Sequence, residues 1–198
     1  MKNLLFLSLF VLLGASLNAS VKTGDSAPDF TLLDTDGNEV FLSDFSGKFV
    51  VLEWLNHGCP FVKRHYDSGN MQALQEKYSE AGVVWLSIVS SAPGKQGHDS
   101  AEGHKKTSEL KSSSSVAILM DESGEVGMLY GAKTTPHMYV IDPEGVLLYQ
   151  GAIDDSPRGG NPGEVNNYVV AALDAAMAGE EVEVTDTRPY GCSVKYGK

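Results

Sequence analysis

Three runs leave this chain little choice of fold: Phe49 to Leu55 (FVVLEWL), Val83 to Val89 (VVWLSIV) and Val116 to Met120 (VAILM). Each is dense in β-branched and aromatic residues, the pattern of a strand buried on both faces. Helical patterns separate them. Phe61, Val62, Tyr66, Met71, Leu74 and Tyr78 form one stripe, with a kink expected at Ser68-Gly69-Asn70 and a stop at Gly82. The polar stretch after the loop SSAPGKQGHDSAEG is expected to be helical, and a short helix is expected from Glu125 to Tyr130. His137 to Ile141, the turn Asp142-Pro143-Glu144-Gly145, and Val146 to Gln150 read as a hairpin, and residues 165–178 as an amphipathic helix. Residues 28–42 read as two short strands around Asp36-Gly37-Asn38. The order is β-α-β-α-β-α-β-β-α behind an N-terminal β-hairpin extension. It predicts an α/β sandwich, a mixed central sheet with helices on both faces.

The first 19 residues do not belong to that fold. Met1-Lys2-Asn3 gives a positive start, Leu4 to Leu13 an apolar run, and Ala19 a small residue before a cut, the layout of a secretory signal peptide. The alternative is an uncleaved anchor, for which the run is short. The domain plan is therefore a signal peptide over 1–19, one domain over 20–180, and a polar tail over 181–198. The full chain carries a formal charge of −11. Such an acidic surface repels phosphate backbones, so nucleic acid is not an expected partner. Without a polybasic segment, stable membrane association is not expected after signal removal. The expected address is periplasmic or secreted, where thiols can be oxidised.

The chain has two cysteines, Cys59 and Cys192, 133 residues apart. A structural disulfide is one reading of that pair. Cys59 sits between a strand end and a helix start, with Pro60 at the favoured first helical position. Functional groups gather at such carboxyl ends of strands in open α/β sheets. Unpaired N–H groups at a helix start favour thiolate over thiol, and Lys63 and Arg64 can add to that field. The competing reading is a buried, inert core cysteine.

Here a resemblance enters. The run GDSAPDFTLLDTDGNEVFLSDFSGKFVVLEWLNHGCPFVKRHY resembles the alkyl hydroperoxide reductase/thiol-specific antioxidant (peroxiredoxin-like, redoxin) branch of the thioredoxin superfamily, and KTTPHMYVIDPEGVLLYQG resembles its later strands. The resemblance runs over about residues 22–198 and implies a thioredoxin fold. Cys59 then falls where peroxiredoxins hold the peroxide-attacking cysteine and thioredoxins the first cysteine of Cys-x-x-Cys. Val62 stands at the second thioredoxin position, so a pair within the helix is absent. In the peroxiredoxin pattern Pro-x-x-x-Thr-x-x-Cys, Leu52 replaces the proline and Asn56 the threonine. Thr135-Pro136 matches the cis-proline that faces the active cysteine in thioredoxins, making both candidate substrate-binding residues. Cys192, in RPYGCSVKYGK, is then a resolving thiol carried on a mobile tail, and a permanent Cys59–Cys192 bridge or an intermolecular pairing is the alternative. His57, two residues before Cys59, either tunes the thiol or faces solvent from its loop. A copper site from Cys59, His65 and His137 would resemble copper-delivery relatives, but those use Cys-x-x-x-Cys and Lys63 stands at the second place, so no metal and no cofactor is expected.

The expected function is thus an exported thiol-based oxidoreductase. Cys59 attacks a disulfide or a peroxide and Cys192 resolves, with Asn56, His57, Pro60 and Arg64 supporting the site. The expected partners are a disulfide-containing protein or hydroperoxide and a thiol reductant. A non-catalytic binding module with a structural bridge, and a copper carrier, are the competing classes.

Overall fold

The computed structural model describes residues 20–160 and 164–197, so the expected signal peptide lies outside it. The elements follow the predicted order. Strands β1 (Thr31–Asp34) and β2 (Glu39–Phe41) form the first hairpin, followed by a 3-10 turn (Leu42–Phe45) and β3 (Val50–Trp54). Helices α1 (Pro60–Asp67) and α2 (Asn70–Glu80) lead to β4 (Val84–Val89), then α3 (Ala101–Leu110) and β5 (Ala117–Met120). The rest comprises α4 (Glu125–Tyr130), β6 (Thr134–Thr135), β7 (His137–Ile141), β8 (Leu147–Gly151), α5 (Tyr168–Met177) and β9 (Cys192–Ser193).

Seven strands make one mixed sheet in the order β2-β1-β5-β4-β3-β7-β8. β3 lies parallel to β4, with Val51 opposite Trp85, and antiparallel to β7, with Leu52 opposite Tyr139. Alternation along the strands divides the core between two faces. Val51, Trp85, Met138 and Val140 meet Val62, Tyr66, Met71 and Tyr78 of α1 and α2 and Val169 and Leu173 of α5. On the opposite face Val50, Leu52, Trp54, Leu86 and Tyr139 pack with Val126 and Tyr130 of α4 and with Phe30 and Leu42. Both faces of β3 are therefore covered, which is why it reads as an unbroken apolar run.

Four details depart from the sequence expectation. The N-terminal hairpin is not an appendage: β1 pairs antiparallel with β5 and completes one edge of the sheet. The kink expected near Gly69 is a full break, because Gly69 adopts φ +76 and starts a new helix. α5 begins later than expected, since the Asn167 side chain accepts from Val170 N–H at 3.0 Å and caps it there. The tail expected to be mobile is docked, its residues 185–187 running beside β8 and its β9 pairing with β6. No helix among the described residues is long and apolar enough to cross a membrane.

Candidate active site

Cys59 is the N-cap of α1, its carbonyl accepting from Lys63 N–H at 2.9 Å and Pro60 following at the first helical position. Its extended backbone (φ −76, ψ 126) turns the side chain away from the helix and toward the loop before β7. There the Thr135–Pro136 bond is cis, as the motif predicts. As a thiol, Cys59 donates to the Thr135 carbonyl at 3.0 Å. β9 lies antiparallel to β6 with Cys192 opposite Thr135, and Gly191 passes so close that a Cβ there would collide with the Thr135 carbonyl. Both cysteines are free thiols, and each faces Thr135: Cys59 through its sulfur and Cys192 as the β-pair partner of that residue.

The two sulfurs are electrostatically unequal. Burial pushes the Cys59 thiol up, but the Cys192 S–H, the N–H groups of Val62 and Cys192, and the facing Thr135 hydroxyl outweigh it and hold Cys59 below the ordinary thiol range. That Thr135 hydroxyl is buried and has no hydrogen-bond partner among the described residues. Cys192 is pushed the other way, by burial and by the hydrogen bond and charge of Cys59. Cys59 is therefore the more acidic of the two thiols and Cys192 the less acidic. Yet Cys59 is 0 % exposed, so no outside molecule reaches the sulfur while the tail stays docked.

A family model described as AhpC/TSA family matches residues 23–150, which span β1 to β8 and include Cys59 and Pro136. The chain belongs to the AhpC/TSA family. Among its relatives, the thiol-disulfide oxidoreductase ResA of Bacillus cereus is 25% identical over 135 residues, covering 68% of this chain and 72% of that one. A chloroplastic peroxiredoxin Q of Triticum aestivum is 31% identical over 145 residues, covering 65% and 58% of the two chains. The crystal structure of an uncharacterized conserved protein from Geobacillus kaustophilus superimposes with a TM-score of 0.79 at 34% identity, over 89% of this chain and 93% of that one. The expected thioredoxin fold is the fold of this AhpC/TSA chain.

Several sequence-predicted residues of the AhpC/TSA site are placed differently from expectation. Asn56 is 1% exposed and spends both ends on backbone: Oδ1 accepts from Gly58 N–H at 2.8 Å, and Nδ2 donates to the Gln96 carbonyl at 3.2 Å. It ties the cysteine loop to the SAPGKQG loop, and Gly97 is tucked against it. His57 is not solvent-facing. Its ring stands edge-on to Tyr66 at 5.7 Å, its Nε2 finds no partner among the described residues, and burial with the nearby His104 and Lys111 lowers it to about 4. It is neutral and adds no positive charge to the site. Arg64 does not turn to Cys59: it donates to the Pro157 carbonyl and to the Tyr190 hydroxyl of the tail. The metal trio also comes apart. His65 is engaged by Tyr190 at 3.0 Å and Asn70 at 3.0 Å, and His137 Nδ1 accepts from Lys133 N–H at 3.3 Å.

Two residues were missed by sequence reasoning. Tyr190 donates to Asp154 at 2.5 Å while meeting Arg64 and His65, which anchors the tail just before Cys192. Glu53, on β3, is fully buried and accepts from Trp85 Nε1 at 2.9 Å, from the Tyr66 hydroxyl at 3.1 Å, and from Gln75 and Ser87. Burial pushes its carboxyl up to about 7 even though all four donors pull it down. The signal for Glu53 was present in FVVLEWL. A single acid inside a run buried on both faces must have a polar partner set or hold its proton.

Proposed function

We propose that this chain is an exported thiol–disulfide oxidoreductase in which Cys59 and Cys192 form the working dithiol. The observation that carries this reading is that Cys59, whose sulfur meets the Thr135 carbonyl at 3.0 Å, and Cys192, paired opposite Thr135, converge on the loop of the cis Pro136, with Cys192 helping to hold the Cys59 thiol below its ordinary range. The Cys59 thiolate attacks one sulfur of a substrate disulfide, forming a mixed disulfide and releasing the other sulfur as a thiolate that takes up a proton. Two of the three upward pushes on Cys192 come from the Cys59 thiolate, and they vanish once Cys59 is bonded to substrate. Cys192 then ionises more readily, attacks the Cys59 sulfur and expels the reduced substrate. The product is a Cys59–Cys192 disulfide, and a thiol reductant supplies the two electrons that restore the dithiol.

Disulfide rather than peroxide is the substrate this geometry favours, because Asn56 and Arg64, two of the polar groups expected to support the site, are committed to backbone and to the tail. Export is supported by the Met1-Lys2-Asn3 start, the Leu4–Leu13 apolar run and Ala19, which give residues 20–198 as the mature chain.

Reduction of insulin disulfides, with dithiothreitol as the electron source, tests the reading. Wild type is expected to turn over, Cys59→Ser to be inactive, and Cys192→Ser to stop at a trapped mixed disulfide visible by mass spectrometry. Activity that survives Cys59→Ser would remove the proposal. Stopped-flow reaction of the reduced protein with hydrogen peroxide is expected to run no faster than free cysteine.

A further inference from the structure

The segment that carries Cys192 is held on both sides of the cysteine. Before it, Tyr190 sits in the Asp154–Arg64–His65 cluster. After it, Val194 N–H donates to the Lys133 carbonyl at 3.1 Å and the Lys195 carbonyl accepts from Ala92 N–H at 2.9 Å. The segment ends on Tyr196, whose hydroxyl donates to the Ala132 carbonyl at 2.7 Å. The β6–β9 pairing in the middle is only two residues long, too short to hold by itself. The side chains at either end therefore decide whether Cys192 stays on Cys59.

The socket of Tyr196 is built on two glycines, Gly124, which its left-handed backbone (φ +76) favours, and Gly127. Gly127 lies inside α4, where glycine is less favourable than alanine and no left-handed backbone requires it. A Cβ at Gly127 would lie 2.5 Å from the Tyr196 hydroxyl and 2.7 Å from its ring, and one at Gly124 would lie 2.5 Å from the same ring. Two missing methyl groups on one helix thus make a notch that fits a phenol. Ser90 Oγ, 2.8 Å from the Gly127 position, forms the far wall.

We propose that Tyr196 is a positioning residue for the reaction at Cys59: seated in the Gly124–Gly127 notch it latches the Cys192 segment over the sulfur, and substrate reaches Cys59 only when it is unseated. The inference rests on the proposed thiol chemistry but is measured separately from it. Cys59 is 0 % exposed in the latched state, so any reagent samples the unlatched fraction. Unlatching also withdraws the Cys192 S–H and N–H groups from the Cys59 sulfur. A weaker latch should therefore open the site and make Cys59 a poorer acid at the same time.

The test is iodoacetamide alkylation of Cys59 in the reduced full chain across pH, followed by peptide mass spectrometry, with the far-ultraviolet circular dichroism of each variant recorded. Tyr196→Ala is expected to raise the high-pH plateau rate about tenfold, the scale of removing one half-buried aromatic ring, and to move the pH midpoint upward. Tyr196→Phe, which keeps the ring and loses only the hydroxyl bond, is expected to fall between. Gly127→Ala, which fills the notch while leaving Tyr196 in the sequence, should reproduce Tyr196→Ala, and the double variant should exceed neither. A folded Tyr196→Ala that labels Cys59 at the wild-type rate and midpoint overturns the latch. So does a double variant whose effects multiply. Failure of insulin turnover would sink the oxidoreductase reading without altering these labelling ratios, so the two results stay distinct.

Discussion

Glu53 shows what one buried acid does to the behaviour of the molecule. Its carboxyl is held protonated to about 7, whereas its ordinary value is 4.5. The folded chain therefore binds this proton more tightly than the unfolded chain does. The stabilisation is complete below about pH 4.5 and is lost as pH rises through about 7. Glu53→Gln removes this dependence: its amide accepts from Trp85 Nε1–H, and its NH2 can donate to the Tyr66 oxygen. Relative to the variant, wild type is expected to lose on the order of 3 kcal/mol of unfolding free energy between acid and mildly alkaline pH. Urea melts of both proteins at pH 4.5 and pH 8 measure it, and parallel pH profiles would refute the assignment. Glu53 also reaches toward the thiol through Tyr66, whose ring faces His57, two residues before Cys59.

Two short segments, rather than the sheet, decide the geometry at the sulfur. The loop between β3 and α1 is braced by Asn56, which is buried and fully engaged. Asn56→Ala strands the Gly58 N–H and the Gln96 carbonyl, and should destabilise the fold by about 1–3 kcal/mol. Guanidinium denaturation would register that loss, and a change under half of the lower figure would mean that water replaces the amide. On the other side stands β9. Gly191 has φ +134 and no room for a Cβ against the Thr135 carbonyl, so Gly191→Ala should lift Cys192 from register. We expect disulfide closure after a diamide pulse to slow markedly in this variant, followed by acid quench and gel shift. Closure at the wild-type rate would show that β9 pairing is dispensable for bringing the sulfurs together.

At the scale of the whole molecule, the Cys59–Cys192 bond would close a loop of most of the folded domain. Cross-linking residues 133 apart in sequence restricts the unfolded chain and stabilises the oxidised form by up to about 5 kcal/mol in the loop-entropy account. Because Cys192 is already paired opposite Thr135, whose carbonyl meets the Cys59 sulfur, the two cysteines start on the same short loop. The oxidised protein is therefore expected to unfold at higher guanidinium concentration than the reduced one. Equal midpoints would indicate that closing the bond strains the native state by a similar amount. The acidic surface has no part in this exchange. It bears on partner choice through long-range repulsion of polyanions.

How much of this was readable in the chain differs by feature. FVVLEWL, VVWLSIV and VAILM specify buried strands because period and composition act locally, and with the stripes between them they determine the layered α/β fold. The strand–Gly58–Cys59–Pro60–helix junction likewise placed Cys59 at a helix start, since helix-start N–H groups are a property of adjacent residues. Other features depend on groups far apart in sequence. Asn56 was placed beside the sulfur by the family pattern and Arg64 by its position in the first helical turns, but Gln96, Pro157 and Tyr190 compete for their hydrogen bonds. The tail looked loose because it is polar and lacks periodicity, yet the Gly124–Gly127 notch and the Asp154 cluster hold it. Sequence alone determined which cysteine stands at a helix start, after a buried strand and before Pro60. Only the tertiary structure decided what covers that sulfur, because cover is made by contacts between residues separated by most of the chain.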